Sequence, residues 1–74
     1  MPTPVLPVFL SDDGIWEADD APLASARDLP TVERLERYAA VPAAVRVGSR
    51  RLQLTVYRRA ERHGWIRLSD LDAG

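Results

Sequence analysis

SRRLQLTVYRRAERHGWIRL (residues 49–68) is the stretch that decides the fold of this 74-residue chain. It carries six of the ten arginines, and large apolar residues lie between them. The same letters fit an amphipathic helix or, in their first part, a β-strand. We expect a helix that ends near Gly64, followed by a short strand in WIRL (65–68).

The helical interpretation rests on how the side chains separate around a helix axis. At about 100° per residue, four residues of 50–63 fall within an apolar sector of about 80° and five within an adjacent basic sector of about 100°, while Leu54, Tyr57 and Glu61 fill the remaining side. The apolar sector contains Leu52, Val56, Ala60 and His63, and the basic sector contains Arg51, Thr55, Arg58, Arg59 and Arg62. Ser49 is then the N-cap and Gly64 the residue that follows the helix.

The strand interpretation rests on alternation in RLQLTVY (51–57). Apolar and polar residues take turns there, and β-branched and aromatic residues favour a strand locally. VRVGSRRLQL (45–54) then becomes a hairpin about Gly48-Ser49. The alternation fails after Tyr57, and YRRAERHG (57–64) is expected to be helical in both cases, so we prefer the helix and keep the strand as the alternative.

The N-terminal third is rich in proline and acid. VFLSDDGIW (8–16) predicts a hairpin, because Asp13-Gly14 is a favoured two-residue turn between apolar residues. An extended arm is the alternative, since Pro2, Pro4 and Pro7 oppose regular ladder bonding. The stretch EADDAPLASARD (17–28) is expected to be a loop with at most one helical turn.

LPTVERLERYAA (29–40) predicts a helix that ends before Pro42. Thr31 is a fair N-cap, and apolar side chains follow at helical spacing. VPAAVRVGS (41–49) is ambiguous between a short second helix and a strand in which Val45 and Val47 alternate with Arg46.

Charge is distributed unevenly along the chain. Residues 1–40 contain eight acids and three arginines (−5), and residues 41–74 contain seven arginines and three acids (+4). Such asymmetry indicates either a basic half that contacts nucleic acid or two halves that complement each other in the fold. A small core without cysteine favours help from a partner, including a homodimer. Short apolar runs and the absence of a basic leader predict a soluble cytoplasmic protein without membrane contact.

Three short motifs, VGS (47–49), TVYRR (55–59) and HGWIRL (63–68), resemble the winged helix-turn-helix DNA-binding proteins. The resemblance covers residues 31–68 and implies an α+β domain with two to three helices and a small β-sheet, to which an N-terminal hairpin or arm can add. The expected organisation is a single domain: an acidic, proline-rich arm or hairpin (1–30), a helix-turn-helix-like basic core (31–68) and a tail (69–74).

The resemblance implies a small DNA-binding regulator or accessory protein that places an arginine-faced helix in the major groove of double-stranded DNA. The N-terminal half of that helix would meet base edges through Arg50, Arg51 and Thr55. The remaining arginines would meet phosphates, namely Arg58, Arg59, Arg62 and Arg67. A solvated surface, or pairing with the acidic half, is the alternative role for each arginine.

The competing function is a protein-binding adaptor or inhibitor of the kind that phages and mobile elements encode. It would act through the acidic N-terminal segment, with Trp16, Asp19 and Asp20 at the contact. The overall negative charge favours it, because autonomous DNA-binding domains usually have a high pI. If Leu52 and Leu54 lie in a strand, DNA binding loses its lead.

Catalysis is not expected. The chain has no phosphate-binding glycine loop and no plausible nucleophile motif, and His63 fits a structural or helix-capping role better than a catalytic one. The acidic DDGIWEADD (12–20) lacks the spacing of a calcium loop, so neither a metal site nor a cofactor is predicted.

Overall fold

The structure, a computed structural model, describes residues 2–18 and 29–71. Six strands account for most of them. They are β1 (Thr3–Leu10), β2 (Trp16–Ala18), β3 (Thr31–Val32), β4 (Ala39–Val47), β5 (Arg50–Arg58) and β6 (His63–Arg67). Two short 3-10 helices lie at Leu35–Arg37 and Leu68–Leu71.

The strands close a five-stranded barrel. Neighbours follow the ring β1-β2-β4-β5-β6 and back to β1, and β3 pairs with the start of β1 outside the ring. Every contact in the ring is antiparallel except that between β2 and β4. The expected α+β winged helix is therefore wrong, and no helix of seven or more residues occurs in residues 2–18 or 29–71.

The preferred helix over 50–63 is replaced by β5, the turn after it and the start of β6. β4 and β5 form an antiparallel ladder of nine pairs, from Val47↔Arg50 at the turn to Ala39↔Arg58. Gly48 has a φ of 60° and Ser49 has no positive φ, which is the pattern of a type II′ hairpin turn. The alternation in residues 51–57 was thus the correct signal, because pairing with β4 outweighs the local helical arrangement.

The predicted helix over residues 29–40 is also wrong. Its positions become β3, the 3-10 helix Leu35–Arg37 and the first residues of β4. Ala40 pairs with Tyr57, so the last residues of the expected helix belong to the ladder between β4 and β5. The residues between β3 and β4 are too few to form an α-helix that is stable by itself.

The predicted N-terminal hairpin is confirmed. β1 and β2 pair antiparallel from Leu10↔Trp16, and Gly14 adopts a φ of 83° in the turn between them. The Asp13 carboxylate accepts hydrogen bonds from the Ser11 hydroxyl at 2.6 Å and from the Ile15 backbone N–H at 3.2 Å. These hydrogen bonds stabilise the turn between β1 and β2.

Prolines do not break β1, because the nitrogen of Pro7 lies where the ladder needs no donor. The N–H of Leu10 donates to the Arg62 carbonyl on the β6 side, and the N–H of Val5 donates to the Pro30 carbonyl on the opposite side. By alternation, the nitrogen of Pro7 points away from β6, just before β2 begins to pair at Val8. The alternative of an extended arm is therefore wrong.

Apolar side chains fill the barrel. The buried cluster comprises Leu6, Val8, Trp16, Ala18, Leu29, Val45, Val47, Val56 and Ile66. Gly64 lies inside β6 and is buried, instead of ending a helix. A Cβ at that position would approach the Tyr57 carbonyl oxygen to 2.8 Å and Val56 Cγ1 to 2.9 Å, so only glycine lets β5 and β6 come this close.

Candidate binding surface

The arginines predicted to share one helical face lie at opposite ends of β5. Arg50 and Arg51 follow the Gly48-Ser49 turn, whereas Arg58 ends the strand and Arg59 follows it. Eight residue steps at about 3.3 Å place the two groups roughly 26 Å apart. Thr55 lies between them on the outside of the barrel, opposite Pro42. A continuous basic face is therefore absent from this strand.

Three other arginines are engaged by acidic side chains. Arg46 forms ion pairs with Glu17 and, at 3.6 Å, with Asp13. The remaining pairs are Arg62–Asp12 at 2.7 Å and Arg67–Asp70 at 3.0 Å. Arg62 also donates to the Leu10 carbonyl at 3.0 Å. The basic half thus meets acids of the N-terminal hairpin, as the second interpretation of the charge asymmetry expected.

Two of these contacts shift pKa values. Hydrogen bonds from Ser11 and Ile15, together with the charge of Arg46, lower the pKa of Asp13. The hydrogen bonds between Asp70 and Arg67 raise the pKa of that guanidinium. Both shifts favour the charged forms in the folded protein.

The structure describes one of the three residues predicted to contact a partner in the acidic segment. Trp16 is 5% exposed and packs in the core, and its predicted contact with a partner stays a prediction. Its neighbours Asp19 and Asp20 lie outside the described residues, and their role stays a prediction.

A row of side chains runs across the outside of four strands. Pro7 lies opposite Trp65, Trp65 opposite Tyr57, and Tyr57 opposite Ala40. Directly opposed residues have Cβ atoms about 5 Å apart, so the row is continuous. Phe9 extends it along β1, two residues beyond Pro7 on the same face. We call these five residues the outer strip.

The outer strip exposes apolar surface to solvent. Phe9 is 48% exposed, and among residues 2–18 and 29–71 it is the one large hydrophobic residue in the exposed class. Pro7 and Ala40 are exposed, and Tyr57 and Trp65 are half-buried. Scattered exposed apolar residues are ordinary, but a contiguous group with three aromatic rings is typical of a protein-contact surface.

Phe9 stands between two hollows of the surface. One has a volume of about 610 Å³ and includes Arg62 and His63 in its wall. The other, of about 220 Å³, lies toward Glu17 and Arg46. A ring that protrudes between two depressions gives a partner both an apolar anchor and flanking polar groups.

Charged and aromatic groups border the outer strip. The Arg67 guanidinium carbon lies 5.6 Å from the centre of the Tyr57 ring, a cation–π distance. Arg59 lies two residues after Tyr57 and is exposed. It forms no salt bridge with an acidic side chain of the described residues. The Trp65 Nε1 is buried without an acceptor among the described residues.

Alternation along strands would have revealed the outer strip, but only after β5 and β6 had been recognised as strands.

No family model, curated protein or solved structure matches the chain. Within the described parts of the chain, no helix is long and apolar enough to cross a membrane.

Proposed function

We propose that this protein is a small protein-binding adaptor that holds its partner on the outer strip. The observation that carries the proposal is the exposed Phe9 beside the register-aligned row Pro7–Trp65–Tyr57–Ala40. Tryptophan, tyrosine and arginine are the residues that most often dominate binding energy at interfaces. We do not propose a catalytic role for the protein. We propose that it acts in the cytoplasm.

The partner's chemistry follows from the border of the outer strip. Arg59 offers an exposed cation. Arg62 pairs with the exposed Asp12 and donates to the Leu10 carbonyl, and an exposed ion pair of this kind contributes little, so a partner carboxylate can replace Asp12 at little cost. The expected partner therefore presents an apolar or aromatic anchor side chain with acidic residues beside it. A nucleic acid is disfavoured by the net charge of −1 and the pI of about 5.7.

Selection from a random peptide display library on the immobilised protein tests this proposal. Enriched peptides should combine an aromatic or large aliphatic residue with acidic residues. Fluorescence anisotropy of a selected peptide should show binding at least tenfold weaker to Phe9→Ala. Arg51→Ala is the control, because it alters an exposed side chain of the outer face away from the outer strip.

Two outcomes would contradict the adaptor. One is that Phe9→Ala binds the selected peptides as tightly as the wild type does. The other is that duplex or single-stranded DNA binds at low salt, with an affinity that falls steeply as salt is added and is reduced by Arg51→Ala.

DNA binding is the second candidate, and a specific feature favours it. Arg50, Arg51 and Arg59 are exposed, and their described surroundings provide no acidic partner. Two basic groups separated along β5 could follow a phosphate backbone, although not as a single recognition element. The anisotropy experiment with duplex DNA decides between the two candidates.

A further inference from the structure

Strand β5 has one edge that faces no other strand over most of its length. All nine of its residues pair with β4, whereas only Tyr57 and Arg58 pair with β6. β6 continues along β1 instead, up to Val5↔Arg67. From Arg50 to Val56, the side of β5 away from β4 therefore lacks a strand partner in the described chain.

The backbone groups that point to this edge can be identified. The two-residue turn makes Val47 and Arg50 a hydrogen-bonded pair, and such pairs alternate along an antiparallel ladder. The N–H and C=O groups of Arg51, Gln53 and Thr55 consequently point away from β4. Two observations agree with this assignment.

The next residue of the same series, Tyr57, is the one that pairs with Trp65 of β6. Pro42, which has no N–H, lies opposite Thr55, at a pair that needs no hydrogen bond. No backbone hydrogen bond joins Arg51, Gln53 or Thr55 to a described loop. Unpaired groups in such a row form a template for another strand.

We infer that the free edge of β5 binds the same edge of a second copy of this chain, antiparallel, with a twofold axis at Gln53. The three free positions are symmetric about Gln53. The axis places Gln53 opposite Gln53 of the second copy, and Arg51 opposite Thr55 of the second copy. All the free N–H and C=O groups of the edge are then paired, and one β-sheet runs through both barrels.

The side chains at this edge are complementary to themselves. Leu52 and Leu54 are half-buried and line an open groove of about 510 Å³ together with Leu71. Under the twofold axis, Leu52 lies opposite Leu54 of the second copy, in a pair with Cα atoms about 4.5 Å apart. Each copy thus covers the apolar surface that the other leaves open.

Charge complementarity also favours a second copy. Arg51 is exposed at one end of the edge. Asp70 lines the groove and pairs with Arg67, which lies over the Tyr57 ring at the other end. Antiparallel pairing brings Arg51 of each copy to the Asp70 end of the other. The contact is small, so we expect a dissociation constant in the micromolar range or weaker.

Sedimentation equilibrium with charge variants at the axis tests this inference. The wild type should approach twice its 8.3 kDa mass as concentration rises. Gln53→Lys and Gln53→Glu should each dimerise at least tenfold more weakly, because like charges then face each other across the axis. Their equimolar mixture should recover the wild-type affinity or exceed it. Phe9→Ala is the control that should dimerise normally, so this inference can fail without affecting the outer strip.

Cross-linking checks the register, since the chain has no cysteine of its own. A short bismaleimide should join Arg51→Cys to Thr55→Cys when the two variants are mixed, but should not join Arg51→Cys to itself. A wild type that stays monomeric at millimolar concentration would overturn the inference. So would a Gln53→Lys and Gln53→Glu mixture that associates no better than either variant alone.

Discussion

The two edges of β5 are built differently, although the same nine residues form both. The edge toward β4 is paired at every position and is fixed by a two-residue turn. The edge toward β6 is paired at two positions, where Gly64 allows close approach, and then diverges. The first edge specifies the barrel, while the second leaves polar backbone and half-buried leucines for other contacts.

Proline scanning should separate the two edges with the largest effect. Leu54→Pro removes a hydrogen bond to β4 and a packed side chain, so we expect a loss of about 3 kcal/mol or more in the free energy of unfolding. Gln53→Pro removes an N–H that points to the free edge, and we expect a loss of about 1 kcal/mol. Urea denaturation of dilute protein measures both, and equal losses would show that the edges are equivalent.

Gly64→Ala tests the short paired part of the second edge. The added methyl group would meet backbone and side-chain atoms of β5 at less than 3 Å, so we expect a loss of about 2–3 kcal/mol. Gly14→Ala is a useful comparison, because its Cβ meets nothing within 4 Å and the cost is only that of a positive φ. Thermal unfolding should rank Gly64→Ala below Gly14→Ala; the reverse order would argue against close approach of β5 and β6.

Gly48→Ala tests the turn that sets the first edge. Its φ of 60° is unfavourable for alanine, so we expect a loss of about 1 kcal/mol while the register is retained. Chemical denaturation gives the loss, and a change smaller than the error of the measurement would contradict the assigned turn.

Acid should weaken the β1–β2 turn slightly, far from either edge of β5. The pKa of Asp13 is lowered in the folded state, so its carboxylate stabilises the protein above the unfolded pKa. That stabilisation is lost as pH falls through the folded pKa. Asp13→Asn should therefore flatten the decline in stability below about pH 4. If the stability of Asp13→Asn declines with falling pH as steeply as that of the wild type, Asp13 is not the cause of the decline.

Part of this architecture could be predicted from local signals. Asp13-Gly14 between apolar residues was enough for the β1–β2 hairpin, because the turn is encoded by adjacent residues. The alternative strand in residues 51–57 also named the Gly48-Ser49 hairpin. The helix is preferred to this strand because YRRAERHG (57–64) is expected to be helical, whereas in the structure Tyr57 and Arg58 end β5 and His63 begins β6.

The closure of the barrel could not be read from the letters. The helical separation of arginines in residues 50–63 arises without any helix, and the choice depends on nine pairings with β4. The outer strip combines residues from β1, β4, β5 and β6, which meet only through the sheet register. Pro7 and Phe9 therefore gave no sign of lying beside Tyr57 and Trp65.

Residue-resolved amide hydrogen exchange tests the unequal edges of β5 most directly. At low protein concentration, the N–H groups of Leu52, Leu54 and Val56 should exchange slowly, and those of Arg51, Gln53 and Thr55 should exchange quickly. At high concentration, the second group should become protected as copies pair. Uniform protection from residue 50 to 58 at low concentration, as a helix or a doubly paired strand would give, would show that β5 has no free edge.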